Sequence, residues 1–247
     1  MINPLQSTPV HATTGALLEM RPLNPERFAP IADGIERRVS IMPTQTRKQH
    51  WEGVYSTKAA DAVSWHQDIP RLSLELIRDA LPPAGGRIVD VGGGASTLVD
   101  NLLALAPARL AVLDISATAL DKARARLGDR AAGVEWIVAD VAAAPDLGAF
   151  DVWHDRAVFH FLTDPDDRRR YVELAERTIP AGGRAVVAAF ADDGPARCSD
   201  LDVRRYNAAT MSAELGPGFA LVREAAERHV TPWGAGQSFF YGVFERR

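Results

Sequence analysis

The segment Arg87-Ile88-Val89-Asp90-Val91-Gly92-Gly93-Gly94-Ala95-Ser96-Thr97-Leu98 decides the fold of this chain. Its apolar residues predict a short strand with an acid near its end, followed by a glycine turn and the start of a helix. Three consecutive glycines leave backbone N–H groups without side chains in front of them, so a ligand can approach the main chain closely. An ordinary strand-to-helix turn needs one or two glycines, and the triplet therefore favours a ligand-binding turn.

The acid before the glycines indicates what kind of ligand the turn binds. Gly92 and Gly94 fit the dinucleotide pattern G-x-G-x-x-G, but Thr97 stands where the third glycine is required. A pyrophosphate would have to lie beside the carboxylate of Asp90, whereas a cationic ligand would be attracted by it. The pattern Asp-x-Gly-x-Gly-x-Ser resembles motif I of the class I, seven-strand methyltransferases that use S-adenosylmethionine (SAM). The resemblance implies that Asp90, Gly92, Gly93 and Gly94 bind SAM.

Composition narrows the classes of protein and partner. The chain has 247 residues, 47% of them hydrophobic and 24% charged, which is enough for one domain with a substantial core. A net charge of −4 gives no general attraction for nucleic acid or an anionic membrane, so we expect neither as a partner. Cys198 is the single cysteine, which excludes a disulfide framework and a multi-cysteine metal site, and no metal is expected. The sequence shows no apolar stretch long enough to span a membrane and no signal peptide, so we expect a cytoplasmic protein. We expect it to be a monomer or a homodimer.

The domain organisation follows from the distribution of prolines. Residues 1–42 contain five prolines and no sustained hydrophobic periodicity, so we predict a disordered leader. The resemblance to the methyltransferases covers residues 43–247, which we predict to be one SAM-dependent methyltransferase domain.

Three aromatic residues precede the glycine turn. Trp51 and Tyr55 are four residues apart and would share one face of a helix, and Trp65 follows after a polar loop. Each could simply cap the edge of the core. Together they could also stabilise a sulfonium cation over their ring faces and exclude water from it. The segment resembles the N-terminal region of a methyltransferase subgroup that includes protein-lysine methyltransferases and many bacterial members without an assigned acceptor.

Two further strands are predicted to end in an acid. Asp114 lies 20 residues beyond Gly94, a spacing that places its carboxylate at the tip of the neighbouring strand, where it can accept both hydroxyls of a ribose. Its alternative role as a helix cap is weaker, because Ser116 can cap the next predicted helix, 117–127. Asp140 ends the third strand and resembles the position that binds the adenine amino group in this family. Ile115 and Val141, which follow these acids, are predicted to contact the cofactor too.

The candidate catalytic residues follow the fourth predicted strand, 150–153. His154 and Asp155 would be aimed at a ligand that lies across the carboxyl ends of the strands. Asp155, and with less support His154 or His160, would orient or deprotonate the methyl acceptor, and Asp155 is also predicted to contact SAM. His160 could equally be a histidine at the edge of the core. Members of the resembled family that methylate adenine N6 or glutamine amides share the motif Asn-Pro-Pro-Tyr, and its absence from this sequence argues against both acceptors.

The predicted fold is α/β, with a doubly wound, mostly parallel seven-stranded sheet and a C-terminal antiparallel strand pair over 219–228 and 239–245. This pair argues against a nicotinamide oxidoreductase, as do Asp90 and Thr97. The predicted function is transfer of a methyl group from SAM to an unidentified acceptor. A small molecule is favoured, and a protein lysine is the alternative. A non-catalytic SAM-binding or regulatory protein is the hypothesis from another class.

Overall fold

The structure, a computed structural model, describes residues 44–83 and 85–247. The predicted leader, residues 1–42, lies outside the described residues. The described residues form these α-helices: Thr44–Thr57 (α1), Arg71–Ala80 (α2), Leu98–Leu103 (α3), Ala117–Leu127 (α4), Pro165–Thr178 (α5) and Ala208–Leu215 (α6). The strands are Arg87–Val91 (β1), Arg109–Asp114 (β2), Glu135–Val138 (β3), Val152–Arg156 (β4), Arg184–Phe190 (β5), Arg197–Cys198 (β6), Leu201–Asp202 (β7), Phe219–Val230 (β8) and Gly236–Arg246 (β9).

Seven of these strands form one sheet, in the order β3-β2-β1-β4-β5-β9-β8. The first five run parallel, and β9 is antiparallel to both β5 and β8. The predicted doubly wound sheet with its C-terminal antiparallel pair is therefore confirmed. The strand order reverses between β1 and β4, and the crevice above such a point is where open α/β sheets bind ligands.

The sheet lies between two hydrophobic layers. The residues of β1 from Ile88 onward are buried, as expected for a parallel strand covered on both faces. Helices α5 and α6 pack on one face, and α2, α3 and α4 pack on the other. None of the helices among the described residues is long and apolar enough to cross a membrane.

Local signals set most helix ends correctly. Ser116 Oγ accepts a hydrogen bond from the backbone N–H of Ala119 and caps α4, as predicted. Helix α3 is short, with six residues. After Leu103, the backbone N–H groups of residues 104–106 donate to carbonyls three residues earlier instead of four, and Ala106 has a φ of +49°.

The fourth strand differs from the prediction in a way that matters for the site. It spans Val152–Arg156 rather than 150–153, because it pairs with both β1 and β5. His154 and Asp155 are therefore inside the strand. Side chains alternate between the two faces of a strand, so these two point into opposite buried layers rather than out of its carboxyl end.

The run Arg168-Arg169-Arg170 on α5 is exposed at Arg169 and Arg170 but not at Arg168. Its side chain is buried, bonds to Glu214, and donates to the carbonyl of Leu162. Buried charge needs such partners, and only the packing of α5 against α6 supplies Glu214.

Candidate active site

A cleft with two connected halves lies at the carboxyl ends of the strands. The half in front of the glycine turn, the glycine half, encloses about 570 Å³, and the half beyond it, the aromatic half, encloses about 830 Å³. Four residues line both halves: Tyr55, Trp65, Gly92 and Arg156.

The glycine turn has no room for side chains. Gly92 has a φ of +67°, and a Cβ built on it would lie 1.9 Å from Val158 Cγ2. Gly94 has a φ of +48°, and its Cβ would lie 2.8 Å from Tyr55 Oη and 3.0 Å from Asp114 Oδ2. A Cβ on Gly93 would lie 2.5 Å from Asp90 Oδ2. The triplet therefore lets the backbone pass between β1, α1 and the loop after β4.

Beneath this turn lies a buried chain of polar side chains. His154 Nδ1 lies 2.7 Å from Asp90 Oδ1, and His154 Nε2 lies 2.9 Å from Ser73 Oγ. All three residues are almost fully buried and line the floor of the glycine half. Both ring nitrogens of His154 are thus engaged by the protein, which does not suit it to take a proton from an acceptor.

Asp114 and Asp140 line the aromatic half together with Ile115 and Val141, so the structure brings these predicted residues together. Asp114 accepts a hydrogen bond from the Ser116 backbone N–H, at 2.8 Å. Its burial raises the pKa of its carboxyl to about 7, and the nearby Asp90 adds to this. Asp140 accepts from the Ala142 backbone N–H at 3.0 Å.

Two charged side chains attach α1 to the loop after β3 and to helices α4 and α5. Arg47 bonds to Asp140, at 2.7 Å, and to Asp167. Glu52 accepts hydrogen bonds from Ser116 Oγ and from the backbone N–H groups of Ala117, at 2.7 Å, and Thr118. A carboxylate is favoured there because the N-terminus of α4 carries unpaired N–H groups and a positive dipole end. The spacing of Arg47 and Glu52 in the sequence gives no signal of these distant partners.

The aromatic residues that the sequence singled out form one cluster. Ring centroids of Trp51 and Trp65 are 5.8 Å apart, and those of Tyr55 and Trp65 are 6.2 Å apart. Phe161 extends the cluster, with its ring 5.0 Å from that of Trp51. Helix α1 thereby covers the cleft with an aromatic surface.

Asp155 does not face the cleft, so the expectation that it points at the transferred methyl group needs correction. Its carboxylate is fully buried, accepts from Tyr171 Oη at 2.8 Å, and accepts from the N–H groups of Val158 and Phe159. Burial raises its pKa to about 6. These contacts hold the loop after β4, and Asp155 lines neither half of the cleft.

His160 is likewise fully buried, between the rings of Phe161 and Phe190. Burial, together with the charge of Arg156, lowers its pKa to about 3. The structure therefore fits the interpretation of His160 as a core histidine rather than as a base.

Sequence reasoning missed several residues of the aromatic half. They come from four separate segments, and a motif search has no reason to join them: Arg156, Phe161, Phe190, Cys198, Gln237 and Phe239. Cys198 is buried, and its burial raises the pKa of the thiol. Among the described residues, no group of His, Cys, Asp and Glu is arranged to hold a metal ion.

Comparisons with known proteins agree with this geometry. Residues 88–183 match the family model of a methyltransferase domain. No curated protein sequence matches the chain. One similar solved structure is described by the conversion of a disulfide bond into a thioacetal group during echinomycin biosynthesis. It is 20% identical, with 81% of this chain and 92% of that chain covered and a TM-score of 0.67.

Two further similar structures have an assigned source. The N-methyltransferase NodS from Bradyrhizobium japonicum WM9, in complex with S-adenosyl-L-homocysteine (SAH), is 19% identical over 79% of this chain and 97% of that chain, with a TM-score of 0.61. A SAM-dependent methyltransferase from Anabaena variabilis ATCC 29413 is 15% identical over 84% of this chain and 96% of that chain, with a TM-score of 0.62. At these identities the structures establish a shared fold. Residues 88–183 match a methyltransferase domain and the fold is shared with SAM-dependent methyltransferases, which supports an enzyme that transfers a methyl group from SAM.

Proposed function

We propose that this protein methylates a small molecule with an apolar or aromatic body, which binds in the aromatic half of the cleft beside SAM. The observation that carries the proposal is the pairing of a glycine turn and two acids with an aromatic chamber in one cleft. A flat apolar molecule gains free energy by leaving water for such a chamber.

SAM would lie across the two halves. The glycine half, with Asp90 beneath Gly93, would hold the positively charged ammonium of the methionine portion. Asp114 would accept the ribose hydroxyls, and Asp140 with Val141 would contact the adenine. The missing Cβ of Gly94, next to Tyr55 Oη and Asp114 Oδ2, leaves the space that the ligand needs.

In this assignment the protein contributes mainly position and electrostatics. SAM supplies the electrophilic methyl group. Trp51, Tyr55 and Trp65 would exclude water and present ring faces to the positive charge. The acceptor would be held in line with the bond that breaks, which turns a bimolecular reaction into an effectively unimolecular one.

A protein lysine is the second candidate acceptor, and a specific feature favours it. Beyond Trp51 and Phe161 the cleft opens into an outer groove whose walls carry four carboxylates: Asp164, Asp167, Asp200 and Asp202. An acidic groove attracts basic peptides. Asp167, however, is paired with Arg47 and Arg170, and Asp202 is paired with Arg197. These pairs weaken the case for a peptide.

The test is a transfer assay with tritiated SAM and cell lysate separated into a small-molecule and a protein fraction. We expect label to appear in the small-molecule fraction. Asp114→Ala should abolish most of this signal, while Asp121→Ala, an exposed acid on α4, should leave it unchanged. Label found only in the protein fraction would refute the proposal and support the lysine alternative.

A further inference from the structure

The guanidinium of Arg156 lies between the two halves of the cleft and has an unused donor. Its side chain is 10% exposed. Nε donates to Tyr241 Oη at 3.0 Å, and Nη1 donates to the carbonyl of Trp65 at 3.1 Å. Nη2 is buried and makes no hydrogen bond within the part of the chain that the structure describes, although Glu227 Oε2 lies 3.5 Å away. Nη2 is therefore ion-paired with Glu227 but makes no hydrogen bond, and a buried charged donor in this state leaves room for a ligand group to accept from it.

The surroundings of this donor suit a flat molecule. The Arg156 guanidinium lies 4.7 Å from the ring centre of Phe239, and the rings of Phe239 and Phe190 are 4.8 Å apart. Phe161 completes the wall. A ring or apolar chain that packs against these phenylalanines would bring a polar end close to Arg156.

The same region offers no base. Of the described residues that line the aromatic half, Asp114 and Asp140 are assigned to the nucleoside of SAM. The remaining ones include neither a carboxylate nor an imidazole, since Asp155 and His160 are buried elsewhere. Burial raises the pKa of the Cys198 thiol, which keeps it protonated. An acceptor that must lose a proton during transfer would therefore have no group to receive it.

We propose that Arg156 is the specificity-determining residue of this methyltransferase and selects an acceptor whose nucleophile arrives as an anion, such as a thiolate or phenolate. The proposal rests on the small-molecule function above. In the transfer, a lone pair of the anion forms the new bond to the methyl carbon, and the electron pair of the broken C–S bond stays on sulfur. The products are the neutral methylated acceptor and SAH, and no proton is released.

Charge explains the selection. An anion is attracted both by Arg156 and by the sulfonium, whereas an ammonium is repelled by both. The ion pair with Glu227 offsets part of the charge of Arg156. The carboxylates of the outer groove act in the opposite sense, but Asp200 and Asp202 are exposed. Water and salt screen exposed charges far more than buried ones, so these two carboxylates oppose Arg156 only weakly.

The test compares three probes with the same ring, benzoate, benzyl alcohol and benzylammonium, on the full chain loaded with SAH. Affinities are measured by ligand-observed NMR titration at pH 7.5. We expect benzoate to bind at least about tenfold more tightly than benzylammonium, with benzyl alcohol between them. Arg156→Gln should reduce this preference to less than about threefold, and Arg156→Lys should keep part of it.

Controls separate this effect from others. Arg223→Gln, which changes an exposed arginine paired with Glu75 and Asp79, should keep the full preference. SAH affinity of Arg156→Gln should stay within about threefold of the unchanged protein, which also shows that it folds. Equal or tighter binding of benzylammonium, or a preference that survives in Arg156→Gln, would overturn the proposal. A tenfold loss of SAH affinity would also overturn it, because Arg156 would then hold the carboxylate of the cofactor.

The two proposals fail in different ways. If tritium appears only in protein while benzoate still binds through Arg156, the small-molecule function is wrong but the charge preference of the site stands. If tritium appears in small molecules but the probes show no ordering by charge, the role of Arg156 alone is refuted.

Discussion

Replacing Asp114 by Asn should weaken SAH binding and at the same time stabilise the free protein at neutral pH. The buried carboxyl of Asp114 has a pKa of about 7, against about 3.8 in the unfolded chain. An acid whose pKa is raised by folding binds its proton more tightly in the folded state. Stability is therefore lost as the pH rises from about 4 to about 7, by as much as about 4 kcal/mol for three pKa units.

The same pKa predicts how ligand binding depends on pH. If only the carboxylate accepts the two ribose hydroxyls, the fraction of protein ready to bind SAH falls about thirtyfold between pH 8 and pH 5.5. Loss of two hydrogen bonds to a charged acceptor should cost about 1.5–3 kcal/mol, or roughly ten- to a hundredfold in affinity, at pH 8. Asp114→Asn should show this weaker affinity at every pH.

The assay combines calorimetric titration with SAH and thermal melting of the free protein, both from pH 5.5 to pH 8. Relative to the unchanged protein, Asp114→Asn should melt higher at pH 8, and this gain should shrink towards pH 5.5. The matched control is Asp121→Asn, which alters an exposed acid on α4 and should change neither property. Affinity that is flat across this pH range, or a loss below threefold at pH 8, would refute the reasoning and leave Asp114 as a helix-capping residue.

Three further substitutions test the supports of the cleft. Gly92→Ala should destabilise the protein by about 2–4 kcal/mol in a denaturant titration, because its Cβ would overlap Val158 and its backbone is left-handed. The control is Gly182→Ala, which has a similar φ but open space around it and should cost less than half as much. Asp155→Ala should lower the free energy of unfolding by about 1–3 kcal/mol for each buried donor that is left unpaired, while SAH affinity should change less than threefold. A loss of SAH affinity without a loss of stability would instead indicate that Asp155 contacts the cofactor. Glu52 has a lowered pKa, because its hydrogen bonds at the start of α4 outweigh its burial, although burial is the largest single effect. Its contribution is therefore present above about pH 4.5 and is lost as the pH falls through the lowered pKa. Glu52→Ala should lower the melting temperature at pH 7, and this loss should shrink as the pH is lowered below about 4.5. A loss that stays constant down to the lowest pH at which the protein folds would contradict an ionic cap.

The sequence alone predicted the features whose causes are local. Asp90 and the glycines identify the turn because a backbone that must meet a ligand has few other solutions. Ser116 marks the start of α4 because a cap acts within three residues. The antiparallel pair β8–β9 was also predicted, and it is confirmed.

Only the tertiary structure decided which side chains face the cleft. The pairing of β4 with β1 and β5 extends that strand to Arg156, and the alternation of side chains then buries His154 and Asp155. Arg156, Gln237 and Phe239 meet in the cleft because β9 inserts beside β5, although they are far apart along the chain. Periodicity and capping act over a few residues, whereas strand pairing and burial act between distant segments. For this reason the sequence located the glycine turn proposed to bind the cofactor, and the packing of the sheet determined the aromatic chamber proposed for the acceptor.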